Sequence, residues 1–224
     1  MKTVVGKVVV LGHLGVGKTS TITRYVENSF SHQVTPTIGA SFFTCKITVQ
    51  SIPIKMQIWD TAGQERFKAL APMFYRNANA AILVFDITNQ QSFDSIKTWV
   101  DELKRNVEEA MVLCVVGNKI DLMHERKVSK EEGLKYSNSI GASYFECSAK
   151  DDQGVGVVFE NIALGLLRMS VGKSNNTLKV YDDDINDIMA KSSELDATDV
   201  GNEEVVSISI KSIAHGDTVS SKCC

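Results

Sequence analysis

The sequence lacks three features that would place it in a class at once: a long hydrophobic run, an excess of one charge, and a cysteine framework. No apolar run approaches the ~18 residues of a membrane-spanning helix. The net charge of −3 gives no global indication of nucleic-acid binding. Five scattered cysteines in 224 residues do not form a disulfide framework. We expect Cys45, Cys114 and Cys147 to be small buried thiols.

The amino terminus also lacks the features of a secretory signal. Its apolar stretch is interrupted by Gly6 and Lys7, and no small-residue cleavage site follows. We interpret this stretch as a buried strand.

The balance of charge changes near residue 170. Residues 1–169 hold 19 basic and 17 acidic residues, whereas residues 170–224 hold 5 basic and 10 acidic ones. The second part also has few aromatic residues and is rich in Asn and Ser, a composition typical of disorder. The sequence therefore predicts one domain over residues 1–169 and a flexible acidic tail over residues 170–224.

Within the first part, short apolar runs alternate with amphipathic stretches. We predict strands at 7–12, 43–50, 54–60, 80–87, 111–119 and 143–150, and helices at 18–27, 65–76, 91–106, 129–140 and 151–169. This alternation predicts an α/β fold, with a mainly parallel six-stranded sheet flanked by helices on both faces. A ligand of such a sheet binds at the carboxyl ends of the strands.

A glycine-rich loop, GHLGVGKT, closes the first strand and opens the first helix. Its spacing is that of a phosphate-binding loop, G-x-x-x-x-G-K-[ST]. Gly12, Gly15 and Gly17 free the backbone to point N–H groups at phosphate oxygens. Lys18 neutralises the outer phosphates, the Thr19 hydroxyl can bind Mg²⁺, and the helix amino end favours an anion.

A second motif, WDTAGQE, ends the third strand. Asp60 suits Mg²⁺, through water. Gly63 lets its backbone N–H approach a terminal phosphate, and the Gln64 amide could orient an attacking water. The alternative, that Asp60 is only a helix cap, does not explain why it occurs together with the phosphate loop.

Two further motifs, GNKID and CSAK, end the fifth and sixth strands. Asp121 offers two acceptor oxygens that match the N1–H and N2 donors of guanine, which favours GTP over ATP. Lys119 can lay its stem over the base, and Asn118 can tie this loop to the phosphate loop. The Ala149 N–H can reach O6 of the base, and Ser148 can brace Asp121.

Together these motifs resemble those of the Ras-like small GTPases, and within them the Rab family. The Rab character lies in IGASFF, KMQIWDTAGQERF, FYR, AAILVFDIT and QQSFDSIKTW, and IGASF with ALAPMFYR is most similar to the early-endosomal Rab branch. The resemblance covers residues 5–169 and the last two residues.

The resemblance implies a role for each site residue. Gln64, Lys18 and Gly63 would serve hydrolysis, and Thr19, Thr37 and Asp60 would hold Mg²⁺. Phe42, Trp59 and Phe74 match the family's partner-facing aromatic triad, although each could instead be a core aromatic; we favour partial exposure for Trp59. The implied GTP-binding residues are Gly12, Leu14, Gly15, Val16, Gly17, Lys18, Thr19, Ser20, Phe30, Thr37, Gly63, Asn118, Lys119, Asp121, Ser148, Ala149 and Lys150.

The chain ends in SSKCC, without the simpler C-a-a-X prenylation pattern. The resemblance implies that Cys223 and Cys224 both carry geranylgeranyl groups. Stable anchoring generally takes two signals, and the tail has no polybasic patch, so the second lipid would replace basic residues.

The resemblance thus implies a membrane-anchored GTP/GDP switch with GTP hydrolysis that regulates endosomal vesicle traffic. The implied partners are GTP and GDP, Mg²⁺, effectors, an exchange factor, a GTPase-activating protein, a prenyl-binding escort and a GDP-dissociation inhibitor, with no nucleic acid. The protein would occupy the cytoplasmic face of intracellular membranes, with an escorted cytosolic pool.

Leu14 and His13 depart from the family pattern, which has a small residue at position 14 and usually an acidic one at position 13. A branched side chain at 14 could crowd the attacking water and slow hydrolysis, or it could point harmlessly to solvent. One alternative function is therefore a GTP-loaded effector-binding module with negligible turnover. Another is a nucleotide kinase, which would leave NKID and SAK unexplained.

Overall fold

The computed structural model describes residues 2–33, 35–63, 71–172 and 178–182. Strands and helices alternate along the chain, as predicted. The strands are β1 (Lys2–Leu11), β2 (Ala40–Val49), β3 (Ile52–Thr61), β4 (Ala80–Asp86), β5 (Val112–Asn118), β6 (Ser143–Cys147) and β7 (Lys179–Asp182). The α-helices are α1 (Lys18–Glu27), α2 (Ala71–Tyr75), α3 (Gln90–Asn106), α4 (Lys130–Ser139) and α5 (Val155–Gly172), and a 3-10 helix spans Ile120–Glu125.

The strands form one twisted sheet in the order β2-β3-β1-β4-β5-β6. The β1–β3, β1–β4, β4–β5 and β5–β6 pairs are parallel, and β2 runs antiparallel to β3. All seven residues of β4 are buried, because helices cover both faces of the central strands. The prediction of an α/β fold with a mainly parallel sheet is confirmed.

The sheet has seven strands rather than the predicted six. The added strand, β7, lies within the segment predicted to be a flexible tail and pairs antiparallel with β1 from Lys2 to Val5. This edge of β1 is open there, because β4 pairs only with Val8–Leu11. Leu178, just before β7, packs against the core, which supplies an apolar contact for this short strand.

Element ends differ from the predictions where local turns intervene. The sixth strand stops at Cys147 rather than 150, because Ser148 and Gln153 exchange backbone hydrogen bonds of 2.8 and 3.1 Å and close a turn. The last helix consequently begins at Val155, after Gly154 with φ +72°. The predicted helix at 65–76 is described only from Ala71, and the 3-10 helix at 120–125 was not predicted.

Two apolar layers sandwich the sheet. One lies between the sheet and α1 and α5 and contains Val8, Ile58 and Phe159. The other lies under α3 and α4 and contains Leu83 and Phe93. Cys45, Cys114 and Cys147 are buried as expected, and burial raises the pKa of the Cys45 thiol to about 12.

Helix α5 is, by length and composition alone, apolar enough to cross a membrane, and it is the one such helix in the described part of the chain. It packs on the sheet, with Val158, Phe159, Ile162 and Leu166 fully buried. Its apolar character is therefore accounted for by its packing in the core.

Candidate nucleotide-binding site

The loop between β1 and α1 is held in a shape that needs glycine. Gly17 caps α1 in the left-handed region, with φ 93°, and Gly12 has φ 150°. A Cβ on Gly12 would collide with the Val84 carbonyl oxygen, and one on Gly17 would collide with the Asn118 amide. The curled backbone directs the α1 amino end toward a cavity at the carboxyl edge of the sheet.

Lys18 is only 5% exposed although it carries an ammonium group. Its Nζ donates hydrogen bonds to the carbonyls of Gly12 at 2.9 Å and His13 at 3.0 Å. Burial lowers the pKa of Lys18 to about 8, while the charge of Asp60 opposes that shift. The loop carbonyls thus hold a buried cation beside the cavity, where an anionic ligand would restore its full charge.

Asp60, Thr19 and Thr37 meet at the same edge from β3, α1 and the segment before β2. The Thr19 hydroxyl donates to Asp60 Oδ2 at 2.6 Å and lies 2.9 Å from the Thr37 hydroxyl. Asp60 is fully buried, and its Oδ1 has no hydrogen-bond partner. Burial raises the pKa of Asp60, against hydrogen bonds from Thr19 and Thr37 and the charge of Lys18 that lower it.

This oxygen-only cluster fits Mg²⁺. A buried carboxylate oxygen without a partner costs free energy unless a cation or water satisfies it. Hydroxyl and carboxylate oxygens are the hard ligands that Mg²⁺ prefers. Among the described residues, no group of three His, Cys, Asp or Glu side chains could hold a metal, so the cluster does not resemble a transition-metal centre.

A second group of side chains lies where β5 and β6 end. The Ser148 hydroxyl donates to Asp121 Oδ1 at 2.6 Å, which leaves the other carboxylate oxygen toward the cavity, 3.9 Å from Lys150 Nζ. The Asn118 amide donates to the Val16 carbonyl at 2.9 Å and accepts from the Ala149 N–H at 3.3 Å. Asn118 therefore ties the ends of β5 and β6 to the phosphate loop, as the sequence predicted.

Lys119 occupies a strained position that fixes its direction. Its backbone has φ 70°, and its Nζ pairs with Asp86 Oδ2 at 2.7 Å. Burial opposes ionisation of Asp86, but hydrogen bonds from Lys119 and Thr88 prevail and the pKa of Asp86 is lowered. Asp86, which sequence reasoning missed, anchors the ammonium end of Lys119, while the lysine stem lines the cavity.

Arg24 is a second residue that sequence reasoning missed. It lies on α1 and donates to the carbonyl of Ala149 at 2.8 Å and to that of Lys150 at 3.1 Å. Its guanidinium also lies 5.9 Å from the ring centre of Phe30. Arg24 therefore connects α1 to the CSAK motif. This contact joins residues 125 positions apart, and no local motif predicts it.

Residues from each of the four motifs line a cavity of about 370 Å³ at the carboxyl ends of the parallel strands. Its lining residues are Leu14, Gly15, Gly17, Lys18, Thr19, Ser20, Phe30, Ser31, His32, Thr35, Pro36, Thr37, Gly63, Asn118, Lys119, Asp121, Ala149 and Lys150. The structure thus brings together residues from all four motifs. Of the remaining predicted site residues, Gly12, Val16 and Ser148 lie behind the lining and support it through the hydrogen bonds above.

Leu14 lies at the mouth of this cavity with 43% of its surface exposed. The sequence leaves the side chain free either to face the attacking water or to point to solvent. In the structure it contacts both the cavity and solvent. Gly63 is packed against the same loop, since a Cβ there would lie 2.6 Å from Leu14 N and 2.5 Å from Lys18 Nζ. Gln64, the predicted water-orienting residue, lies outside the described residues.

Phe42, Trp59 and Phe74 form a continuous aromatic patch. The ring centres of Phe42 and Trp59 lie 5.2 Å apart, and those of Trp59 and Phe74 lie 5.9 Å apart. Phe42 is 50% exposed, and Trp59 and Phe74 are partly exposed. The expected partial exposure of Trp59 is confirmed. Cys223 and Cys224 lie outside the described residues.

Comparison with known proteins agrees with this geometry. The family model of the Ras family matches residues 7–168. Ras-related protein RabJ of Dictyostelium discoideum is 46% identical over 175 residues, which cover 78% of this chain and 67% of the relative. Human Ras-related protein Rab-21 is 48% identical over 68% of each chain. Human Ras-related protein Rab-31 is 44% identical over 78% of this chain and 90% of its own length.

Proposed function

The chain belongs to the Ras family of small GTPases, within its Rab group, and on that basis we propose that it is a membrane-anchored GTP/GDP switch that hydrolyses GTP and regulates endosomal vesicle traffic. The observation that carries this proposal is the convergence on one cavity of Lys18, the Asp60–Thr19–Thr37 cluster and Asp121. Lys18 would bind phosphates, the Asp60–Thr19–Thr37 cluster would hold a divalent cation, and Asp121 would bind guanine.

Guanine would be recognised by Asp121 and Ala149. The carboxylate of Asp121 would accept from N1–H and from the N2 amino group, and the Ala149 N–H would donate to O6. Ser148 supports this role because its hydrogen bond fixes the rotation of the Asp121 carboxylate. Phe30 and the stem of Lys119, which both line the cavity, would cover the faces of the base.

The phosphates would lie over the α1 amino end. Lys18 would exchange its hydrogen bonds to the Gly12 and His13 carbonyls for bonds to the outer phosphate oxygens. Thr19 and Thr37 would hold Mg²⁺ directly, and Asp60 would hold it through water. When bound, Mg²⁺ neutralises charge on the outer phosphates during transfer.

Hydrolysis is the attack of a water on the γ-phosphorus with loss of the bond to the bridging oxygen, which yields GDP and inorganic phosphate. We assign orientation of this water to Gln64, from its place one residue after Gly63 in the sequence. Lys18 and the Gly63 N–H would stabilise charge that develops on the phosphate oxygens. Leu14 lines the same cavity, and its branched side chain there supports a slow intrinsic rate.

The loss of the γ-phosphate would remove a contact from both Thr37 and Gly63. The two segments around them, about residues 33–43 and 62–76, would then relax, as in other nucleotide switches. Phe42 and Phe74 belong to these segments, and Trp59 lies between them. The aromatic patch would therefore present one surface to effectors in the GTP state and another in the GDP state.

The lipid anchor is tested by replacing both Cys223 and Cys224 with Ser. The variant is expected to become cytosolic in cell fractionation while its GDP affinity in vitro stays unchanged. Localising wild-type protein in its GTP-bound and GDP-bound forms identifies the compartment. Membrane association that survives the double substitution would contradict the proposed anchor, and a compartment other than endosomes would contradict the proposed pathway.

Single-turnover hydrolysis tests the enzymatic part. Protein loaded with γ-labelled GTP is expected to release phosphate slowly, and a Gln64→Leu variant still more slowly, at equal GTP affinity. The position of Leu14 favours a second candidate, a GTP-loaded effector-binding module with negligible turnover. The two are separated by adding a GTPase-activating protein: acceleration supports the switch, and an unchanged negligible rate supports the module.

A further inference from the structure

One face of the sheet carries an unusual row of lysines. In the register of the four strands β2, β3, β1 and β7, Lys46 lies opposite Lys55, Lys55 opposite Val5, and Val5 opposite Lys179. We call these four positions the lysine row. Their side chains point away from the α1/α5 layer, because their strand neighbours, such as Cys45, are buried in it.

The row brings two like charges together on neighbouring strands. Like charges directly opposite each other on neighbouring strands, as at Lys46 and Lys55, destabilise a sheet. The next row toward the cavity contains Thr44, Gln57 and Lys7, so it adds a fourth lysine and no carboxylate. Lys46 and Lys179 are exposed. A solvent-facing basic surface of this kind favours an anionic occupant.

The lysine row adjoins the aromatic patch. Lys7 lies with its Nζ 5.2 Å from the centre of the Trp59 ring and donates to the Arg76 carbonyl at 2.8 Å. Trp59 itself belongs to the same face of β3 as Lys55. An anionic segment bound to the lysine row would therefore lie directly beside the patch through which we propose that effectors bind.

Strand β7 brings an acidic segment of the same chain to this surface. Its last residue, Asp182, lies opposite Lys2, at the edge of the four-stranded face. Residues 183–204 then contain eight acidic residues and one lysine. Neighbouring strands are about 4.8 Å apart, so the row is only ~15 Å wide and a few residues of extended chain can cross it.

We propose that the acidic segment 183–204 docks on the lysine row of its own chain and covers the basic face beside the aromatic patch. Tethering through β7 gives the segment an effective concentration of the order of millimolar, so weak ion pairs are enough for docking. An anionic membrane is a poorer occupant, because the acidic segment starts at this surface and would be repelled by it. Docking is electrostatic, and salt therefore weakens it.

Zero-length carbodiimide coupling tests the proposal directly, since it joins a lysine amine to a carboxylate only when the two are in contact. Full-length GDP-loaded protein, at a concentration where it is monomeric, is coupled and its peptides are identified by mass spectrometry. The expected products are intramolecular links from Lys46, Lys55 or Lys179 to residues 183–204. Their yield is expected to fall at least about fivefold at ~0.5 M salt.

Lys104 on α3 and Lys135 on α4 are exposed internal controls that a long, undocked tail would reach as well. Links to these lysines at a yield equal to that of the lysine row would overturn the proposal. So would links that occur only in dimers, because the occupant would then be a second copy. In the variant that carries both Lys46→Gln and Lys179→Gln, the remaining links should shift away from Lys55 and toward the control lysines. Lys46→Arg keeps the charge of the row, so linking at Lys55 and Lys179 should stay unchanged.

A vesicle assay decides the membrane alternative. Unprenylated full-length protein is mixed with vesicles that contain phosphatidylserine, with and without Lys46→Gln and Lys179→Gln. We expect no vesicle binding that depends on these lysines. In the coupling experiment, replacement of Asp183, Asp184 and Asp187 by Asn is expected to lower the yield of intramolecular links. Lysine-dependent vesicle binding by the wild-type chain would overturn the proposal. GDP retention by each variant shows that the domain is folded.

Discussion

Arg126 and Glu146 form a two-pronged ion pair, with 2.7 and 2.9 Å between the guanidinium nitrogens and the two carboxylate oxygens. Tyr144 donates a third hydrogen bond to the same carboxylate at 2.7 Å. Arg126 follows the 3-10 helix that contains Asp121, and Glu146 precedes Ser148 by two residues. The pair therefore joins the two segments from which the candidate guanine site is built.

Replacement of Arg126 by Ala is expected to accelerate GDP release by about 5- to 50-fold. The pair is partly buried, and the removal of Arg126 takes away the ion-pair partner of Glu146 and leaves the carboxylate with only the Tyr144 hydrogen bond and the charge of Lys130. Arg126→Lys keeps the charge but loses one prong and should have a smaller effect. Release of a fluorescent GDP analogue gives the rates.

The matched control is the exposed pair of Lys97 and Asp94, at 3.1 Å on α3. Exposed pairs contribute little, so Lys97→Ala should leave GDP release unchanged. Equal effects of Lys97→Ala and Arg126→Ala would show that the Arg126–Glu146 pair does not position the guanine site.

The sequence predicts the site better than it predicts the contacts that hold the site together. Asp60, Lys18 and Asp121 occur in short motifs at strand ends, and parallel strands bring their carboxyl ends to one edge. Arg24 and Asp86 are different, because each meets a partner contributed by a distant segment. Nothing in the local pattern around either residue predicts such a pairing.

The strands of the sheet likewise differ in how well the local sequence predicts them. Buried strands such as β4 are continuous apolar runs and are found from composition alone. Strand β7 has four residues, three of them polar or aromatic, within an acidic segment. It forms because β4 leaves half of one β1 edge unpaired, and that vacancy is a property of the assembled sheet rather than of residues 179–182.

Asp121→Asn is expected to convert guanine preference into xanthine preference, because xanthine presents an acceptor where guanine presents the N2 donor. Ser148 donates to Oδ1 of Asp121 and can donate to the Asn side-chain oxygen equally well, so the side chain keeps its direction. Competition between GTP and XTP for the wild-type and variant proteins measures the change. Unchanged GTP preference would remove Asp121 from the base site.

The pH dependence of GDP affinity reports on Lys18. In the nucleotide-free protein burial holds the Lys18 pKa at about 8, and bound phosphates would raise it. Lys18 is protonated in both states well below pH 8, and it contributes no pH dependence there. Above about pH 8 binding must take up a proton, so affinity falls as pH rises, by up to tenfold per pH unit.

Calorimetry in two buffers of different ionisation enthalpy measures this proton uptake. The number of protons taken up is expected to be near zero at about pH 6.5 and to rise toward one above pH 8. An uptake that stays at zero across this range would mean that Lys18 makes no contact with the phosphates.

Gly63→Ala is expected to impair the GTP state more than the GDP state. The added Cβ would lie 2.6 Å from Leu14 N and 2.7 Å from the His13 carbonyl carbon, so β3 and the phosphate loop must separate. The γ-phosphate would lie between them, whereas GDP does not reach that position. Gly156→Ala on α5, where a Cβ meets no atom within 4 Å, is the matched control. The ratio of GTP to GDP affinity, which Gly156→Ala should leave unchanged, is the measurement.

Leu14→Ser is expected to accelerate single-turnover GTP hydrolysis several-fold or more with little change in GTP affinity. In the proposed site, ground-state binding would use backbone N–H groups, Lys18 and Mg²⁺, none of which needs a small residue at position 14. Hydrolysis would also need room for a water and for Gln64, and the half-exposed Leu14 side chain lines the cavity in which they would have to fit. A branched chain there would also reduce, without abolishing, the effect of an inserted arginine from a GTPase-activating protein, a contribution of ~10³–10⁵ in rate in characterised GTPases. Leu14→Ser should therefore raise the stimulated rate more than the intrinsic one.

Equal rates for wild type and Leu14→Ser, with and without the activating protein, would mean that Leu14 turns to solvent in the GTP state. Gln64→Leu then becomes the informative variant, because a further loss of rate would show that Gln64 orients the water beside Leu14.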